Sequence, residues 1–345
     1  SKKAALVIFA LFLQTASSFA SDTNSFFKDF HLSAEFDAKI RTGSQTEEVL
    51  LSVDGGKQRT LSSLEWEQKP LFIPKAQITA GWKNLYFSFF AETALPAKCG
   101  SVFDSDWMNV YSFPNCDEEY ALIKTNYSES DCINDSYLKG GGTLLYKFNA
   151  TPQFSLSPFV QVNVSYSKFT AKGGWASYYD TSKTESNGYF GEYNGKNSYQ
   201  LYFSGDVMSL ERLVYESWLG LKVKADVTQK LSLGWAFAAN IFTDVESLDS
   251  HLLKNTYYLD ELYSNWNGIK AGADLTYAFS GHSAIVLGVE GTWIFPMEGS
   301  AKATTVQNAS YNEYADCSGW ENGKYYKYKS GASFSFTEFS IGYKY

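Results

Sequence analysis

The chain has 345 residues, 29 lysines and arginines against 37 aspartates and glutamates, a formal net charge of −8, and aromatic residues at 17%. An acidic balance of this kind excludes nucleic acid as a partner class and suits a cationic one. After residue 20 no run of about 18 apolar residues occurs, which excludes a helical membrane span, so the aromatic surplus has to be housed in strands.

In chain order, the first element is not part of the fold. Lys2 and Lys3 precede an apolar stretch from Ala4 to Leu13 that is too short to cross a bilayer, and Ser18-Phe19-Ala20 offers small residues to a signal peptidase. Residues 1–20 are therefore predicted to be a secretory signal, with the mature chain starting near Ser21. Losing two lysines and no acid takes the formal charge from −8 to −10.

The remainder, 21–345, reads as one all-β domain. Leu219, Leu221, Val223, Ala225 and Val227 alternate with Gly220, Lys222, Lys224 and Asp226, and Ile269 to Phe279 and Ile285 to Trp293 repeat the two-residue period. The last segment sets Phe339, Ile341, Tyr343 and Tyr345 against Glu338, Ser340, Gly342 and Lys344, so the chain stops on an aromatic. Short turns are expected at Trp82 to Asn84, Asn149 to Gln153, Thr228 to Lys230 and Ser280 to His282. Long polar loops are expected at Asp54 to Arg59, Pro96 to Asp135, Gly173 to Met208, Glu246 to Tyr263 and Gly299 to Ser330. Five loops and four turns predict a ten-stranded antiparallel transmembrane β-barrel with long extracellular loops. A barrel of that size is filled by side chains, and the phasing points Phe90 and Phe334 inward, against a diffusion pore. A secreted β-sandwich also alternates, but it fits the terminal aromatic pattern less well.

Two acidic clusters lie in the expected loops: Asp104-Ser105-Asp106-Trp107-Met108 and Asp249-Ser250-His251. Residues two apart on an extended segment share a side, so each cluster offers two groups to one cleft. An aspartate beside a histidine orients an imidazole base, and a carboxylate pair holds a water. One conflict stands within this reading. Counting from Leu231, Leu233, Trp235, Phe237, Ala239 and Ile241 puts Asp249 and His251 on the outward parity, so a bulge or loss of register is required between Phe242 and Leu248.

The four cysteines, Cys99, Cys116, Cys132 and Cys317, all fall in expected outer loops, where disulfides are permitted. Pairing is not fixed by spacing; a Cys116 to Cys132 staple with Cys99 tied to Cys317 is one arrangement. Their spacing matches no zinc site, the only histidines are His31, His251 and His282, and no GxSxG, HExxH or phosphate-loop pattern occurs, so neither metal nor organic cofactor is expected.

Five segments in order, Gly43 to Leu50, Leu64-Glu65-Trp66, Asp104 to Met108, Phe169 to Gly174 and Asp249 to His251, make the chain resemble the omptins, ten-stranded endoproteases of the bacterial outer membrane. The resemblance implies an aspartic-type peptide hydrolase whose site faces the outside. In it Asp104 and Asp106 are an aspartate couple, and Asp249 with His251 is the base dyad that activates water. It implies a basic, dibasic-type substrate preference with Glu47 as the substrate-binding carboxylate, and hence cationic peptides or proteins as partners, with outer-membrane lipid around the barrel. Two departures bear on this. The family's second acidic contact is Ser247 here, with Glu246 beside it, while Asp117, Glu118 and Glu119 offer other carboxylates. Val162, Val164 and Tyr166 stand where the family holds lipopolysaccharide with polar and basic groups, so an outer membrane poor in that lipid, or activity independent of it, is expected. A catalytically silent barrel acting as an adhesin is the alternative, on the strength of the tyrosine-rich stretch from Trp175 to Tyr202.

Overall fold

The computed structural model describes residues 29–52, 58–107, 124–179, 198–280, 283–305 and 326–345. The predicted signal at 1–20 lies outside them, as do Asp117, Glu118 and Glu119. The described residues form thirteen strands and no helix. They are β1 (Phe30–Ser52), β2 (Gln58–Trp82), β3 (Leu85–Ala94), β4 (Ala97–Trp107), β5 (Lys124–Tyr146), β6 (Phe148–Thr151), β7 (Phe154–Tyr179), β8 (Ser198–Asp226), β9 (Leu231–His251), β10 (Thr256–Asn265), β11 (Gly268–Ala278), β12 (Ala284–Thr305) and β13 (Tyr326–Lys344).

Thirteen strands replace the expected ten for local reasons. Pro96, which has no amide hydrogen to donate, falls in the gap between β3 and β4, and both strands pair with β2 on one side and β5 on the other. Trp266, at φ 53°, divides β10 from β11, and both lie between β9 and β12. β6 continues β5 after Lys147. All ladders are antiparallel, and following them from β1 through β2, then β3 and β4, β5, β7, β8, β9, then β10 and β11, β12 and β13 leads back to β1. The last residue joins this wall: Tyr345 N donates to Ala34 O and Ala34 N to Tyr345 O, both at 2.8 Å.

The two faces of the wall are inverted relative to a water-soluble protein. Phe36, Ile40, Phe72, Ile78, Phe89, Leu144, Val160, Leu219, Phe237, Ile269, Leu287, Phe339 and Ile341 point outward and are exposed, forming an apolar belt of the kind that faces lipid. The inner face carries the charges. Lys39 Nζ lies 2.6 Å from Glu92 and 3.1 Å from Glu338, Arg41 Nη2 lies 2.6 Å from Glu338, and Lys75 Nζ lies 3.1 Å from Asp37. These groups, with Lys139, Glu216, Lys270, Phe90 and Phe334, surround a cavity of about 170 Å³. Phe90 and Phe334 point inward as their phasing requires.

Above the belt the strands continue where loops were expected. β4 and the start of β5 occupy most of Pro96 to Asp135, β9 and β10 make a hairpin of Glu246 to Tyr263, and β7 and β8 run on into Gly173 to Met208. Above the bilayer the outer face meets water and the inner face buries polar residues such as Ser128, Ser130, Asn134 and Ser247, so the alternation of apolar and polar residues fades while the backbone ladder persists. The cysteine arrangement is corrected here too. Cys132, on β5, is buried against Cys99, on β4, with the two sulfurs 3.7 Å apart and both thiols free. A register shift between Lys98 and Gly100 turns Cys99 inward toward Cys132. Cys116 and Cys317 lie outside the described residues.

Candidate active site

The inward turn of Asp249 and His251 is made by one residue. Along β9, Trp235 and Phe237 face outward; Trp218 of β8 then pairs with Asn240 and Ser217 with Phe242, leaving Ile241 unpaired on β8. That insertion exchanges the faces, so Thr243, Val245, Ser247 and Asp249 are buried inside. The bulge required by the sequence is present, one residue before the expected window. Comparable one-residue insertions sit on β2 between Gln68 and Leu71, on β5 between Asn134 and Ser136, and on β12 between Ile294 and Met297.

His251 Nε2 lies 2.9 Å from Asp249 Oδ2. The Tyr258 ring, on β10, sits 5.0 Å from the imidazole, centroid to centroid. Across the interior, Asp104 faces the same way as Leu64 and Ser128, its register partners, and Asp106 accepts a hydrogen bond from Asn126 Nδ2 at 3.1 Å. One oxygen of Asp104 and one of Asp249 are buried with no protein donor. Burial and the neighbouring Asp106 push the Asp104 carboxyl up to about 7, against the pull of His251 and Lys254. Burial works to lower the His251 imidazole, but the Asp249 carboxylate, with Asp104 behind it, outweighs that and leaves it raised. The Tyr258 phenol is raised by burial and by Asp249, Asp106 and Asp104. Two strands at well-separated places in the ring thus send their acidic clusters into one electrostatic field.

One row deeper, Arg212 of β8, Ser247 of β9 and Asp260 of β10 are register partners. Glu47 reaches this row from β1. It is not a free carboxylate, as the resemblance implied: its Oε1 lies 2.9 Å from Arg212 Nη2. Burial first, and then Asp249, push Glu47 up to about 7 although Arg212 opposes them. Burial, Glu47 and Asp249 raise Asp260 well above the carboxylate range. Glu246 points outward, paired with Leu213 and Glu261 on the outer face, and supplies no groove contact. Neither Arg212 nor Asp260 was singled out from sequence. The hairpin register that sets Asp260 opposite Ser247 would have found the latter, had Glu246 to Tyr263 been read as two paired strands.

On the outer wall Val162, Val164 and Tyr166 are exposed. Lys168, on the same wall, is bound to Glu211 at 2.7 Å, and Tyr166 also donates to Glu211. Among the described residues no group of three or more histidine, cysteine, aspartate or glutamate side chains is arranged to hold a metal ion.

No protein-family model matches the chain, and no curated protein matches it. Solved structures do. The outer membrane protease OmpT from Escherichia coli superposes with a TM-score of 0.72 at 16% identity, over 94% of this chain and 99% of that one. Neisserial surface protein A superposes at 0.23 with 9% identity, covering 90% and 97%, and the Pseudomonas putida toluene transporter TodX at 0.28 with 8%, covering 91% and 89%. Scores that low carry no argument, and 16% identity shows a shared fold alone. That fold, together with the exposed apolar belt, places the chain in the bacterial outer membrane.

Proposed function

We propose that the chain is an outer-membrane peptide hydrolase, distantly related to the omptins, built as a closed barrel of ten staves with its site on the outer side. β3 with β4, β5 with β6, and β10 with β11 each count as one interrupted stave. The observation that carries the reading is the Asp249–His251 contact at 2.9 Å, facing an Asp104 that shares its electrostatic field.

In this mechanism no protein atom attacks the peptide. His251 donates Nε2–H to Asp249, which fixes the tautomer and stabilises the imidazolium that forms. Nδ1 then takes a proton from a water as the water's oxygen adds to the scissile carbonyl, and later returns it to the leaving amine. Asp104 and Asp106 orient the water from the opposite side. Held up to about 7 by burial and by its neighbour, Asp104 keeps a proton over much of the neutral range and donates a hydrogen bond to the developing oxyanion. Tyr258, packed on the imidazole, restrains the ring.

The acidic groove draws cationic peptides. Its outer wall, apolar at Val162, Val164 and Tyr166, suits ordinary lipid, so activity does not depend on lipopolysaccharide. The test is hydrolysis of a quenched peptide library rich in Lys and Arg by refolded protein, with and without added lipopolysaccharide. His251→Ala and Asp104→Ala should each lower kcat/KM by about 10²–10⁴-fold with the barrel intact. Cleavage that survives both substitutions would refute the assigned site, and no cleavage by wild type would refute the hydrolase.

A further inference from the structure

Beneath the dyad the groove has a floor, and a cation of the chain's own already stands on it. Arg212 is 1% exposed, Glu47 5% and Asp260 6%. The guanidinium approaches Glu47 to 2.9 Å with Nη2, donates from Nη1 to Gln45 Oε1 at 2.9 Å, and lies 5.1 Å from the centre of the Phe334 ring. Glu47 touches this guanidinium, and Asp260 lies within its electrostatic reach. Burial pushes Glu47 up to about 7 and Asp260 well above its ordinary range, so both carboxyls hold their protons more tightly than free ones. A second guanidinium or ammonium brought to this floor would meet Arg212 with no uncompensated anion left to receive it.

The row does have hydrogen-bonding capacity to offer. The Glu47–Arg212 contact is at ion-pair distance but off line for a hydrogen bond, so both Glu47 oxygens and Arg212 Nε remain unspent, as do Gln45 Nε2 and Ser247 Oγ. Donors and acceptors stand together in a buried row within the electrostatic reach of Asp249 and His251. A neutral side chain that both gives and accepts hydrogen bonds matches them, and a basic one does not.

We infer that Arg212 is the specificity-determining residue of the groove, a built-in occupant of the Glu47 pocket that turns the subsite beside the scissile bond toward uncharged polar side chains and away from arginine and lysine. The inference rests on the hydrolase reading for its place beside the reacting bond. It separates two roles: the acids of the mouth attract a cationic chain, while the floor chooses an uncharged residue from it.

The experiment uses the refolded full chain and a set of quenched peptides, all carrying flanking lysines, that differ at one position as Gln, Ser, Leu, Arg or Lys. Wild type should prefer Gln or Ser over Arg by at least tenfold in kcat/KM. Arg212→Met should raise the Arg peptide relative to Gln by tenfold or more, because Glu47 and Asp260 then face the substrate alone. Glu47→Gln combined with Arg212→Met removes that ion pair whole, leaves Asp260 in the row, and should cut the gain well below that of Arg212→Met, with a thermal melt to check that the barrel stays folded. Wild type preferring Arg tenfold, or an Arg212→Met preference equal to wild type, would overturn the inference. If nothing is cleaved, the hydrolase reading fails, and binding of the same peptides by fluorescence anisotropy decides the subsite. Gln binding above Arg in wild type and the reverse in Arg212→Met support it; an unchanged order sinks it.

Discussion

Two levels of the barrel's interior hold buried charge, and they hold it differently. Inside the apolar belt, Lys39, Arg41, Lys75 and Lys139 are matched by Glu92, Glu338, Asp37 and Glu216 at 2.6 to 3.5 Å. Above the belt, among the described residues, Asp104, Asp106, Asp249, Asp260 and Glu47 are set against Arg212, His251 and Lys254, and oxygens of Asp104, Asp249 and Glu47 lack protein donors. Charges that cancel make a stiff plug in a lipid-surrounded tube. Anions in excess make a place where protons are held at unusual strength, and that excess is what acid–base chemistry draws on.

The comparison is broken most severely from below. Glu338→Ala leaves Arg41 and Lys39 each short of a partner inside the belt, and should destabilise the barrel by about 3–5 kcal/mol. Peptide hydrolysis by the protein that remains folded should be unchanged. Thermal melts beside an activity assay check this, and a loss of kcat at full stability would show that the two levels are not separate.

Asp249→Asn probes the upper level with a smaller effect. Asp249 raises the His251 imidazole, so wild-type kcat/KM should climb with pH through an apparent pKa above 6.5, as the base loses its proton. The substitution should shift that limb to lower pH and reduce the plateau by about 10²-fold. A limb that stays put would separate Asp249 from the titration.

The smallest effect is on stability. Asp104 ionises near 4 when unfolded and at about 7 when folded, so the folded state binds its proton more tightly and stability falls as pH rises between those values. The raised His251 acts in the same sense: what it contributes is lost as pH passes above its folded pKa. The barrel should therefore melt higher at pH 5 than at pH 8. Asp104→Asn should narrow that difference by about 1–2 kcal/mol, and an unchanged pH dependence would place the proton elsewhere.

Much of this was legible in the residues. The period-two pattern of Leu219 to Val227 and Ile285 to Trp293 disclosed the lipid-facing wall, because a bilayer enforces alternation at every step. The rows of Asp104 and Asp249 were found because their chemistry is dense. Strand length was not legible: with polar residues such as Ser128, Ser130, Asn134 and Asp260 on the buried face, nothing in Ser128 to Asn134 or Tyr258 to Leu262 distinguishes a ladder from a loop. Arg212 escaped for another reason. Its meaning comes from Glu47, far away in the chain, and a pairing of that kind leaves no local trace. The Cys99–Cys132 contact was missed likewise, since it depends on the register of β4 against β5.

The unpaired Ile241 has a consequence for how such a chain can change in length. Everything beyond it on β9 keeps its orientation only while the number of residues between the belt and Asp249 stays odd or even as it is now. Losing or gaining one residue there would turn Asp249 and His251 toward the surroundings and bring Leu248 and Ser250 into the groove; losing or gaining two would leave the dyad facing inward at a different height. Insertions and deletions on this stretch are thus sorted by arithmetic: an even step keeps the dyad facing inward, and an odd step does so only if a bulge is gained or lost with it.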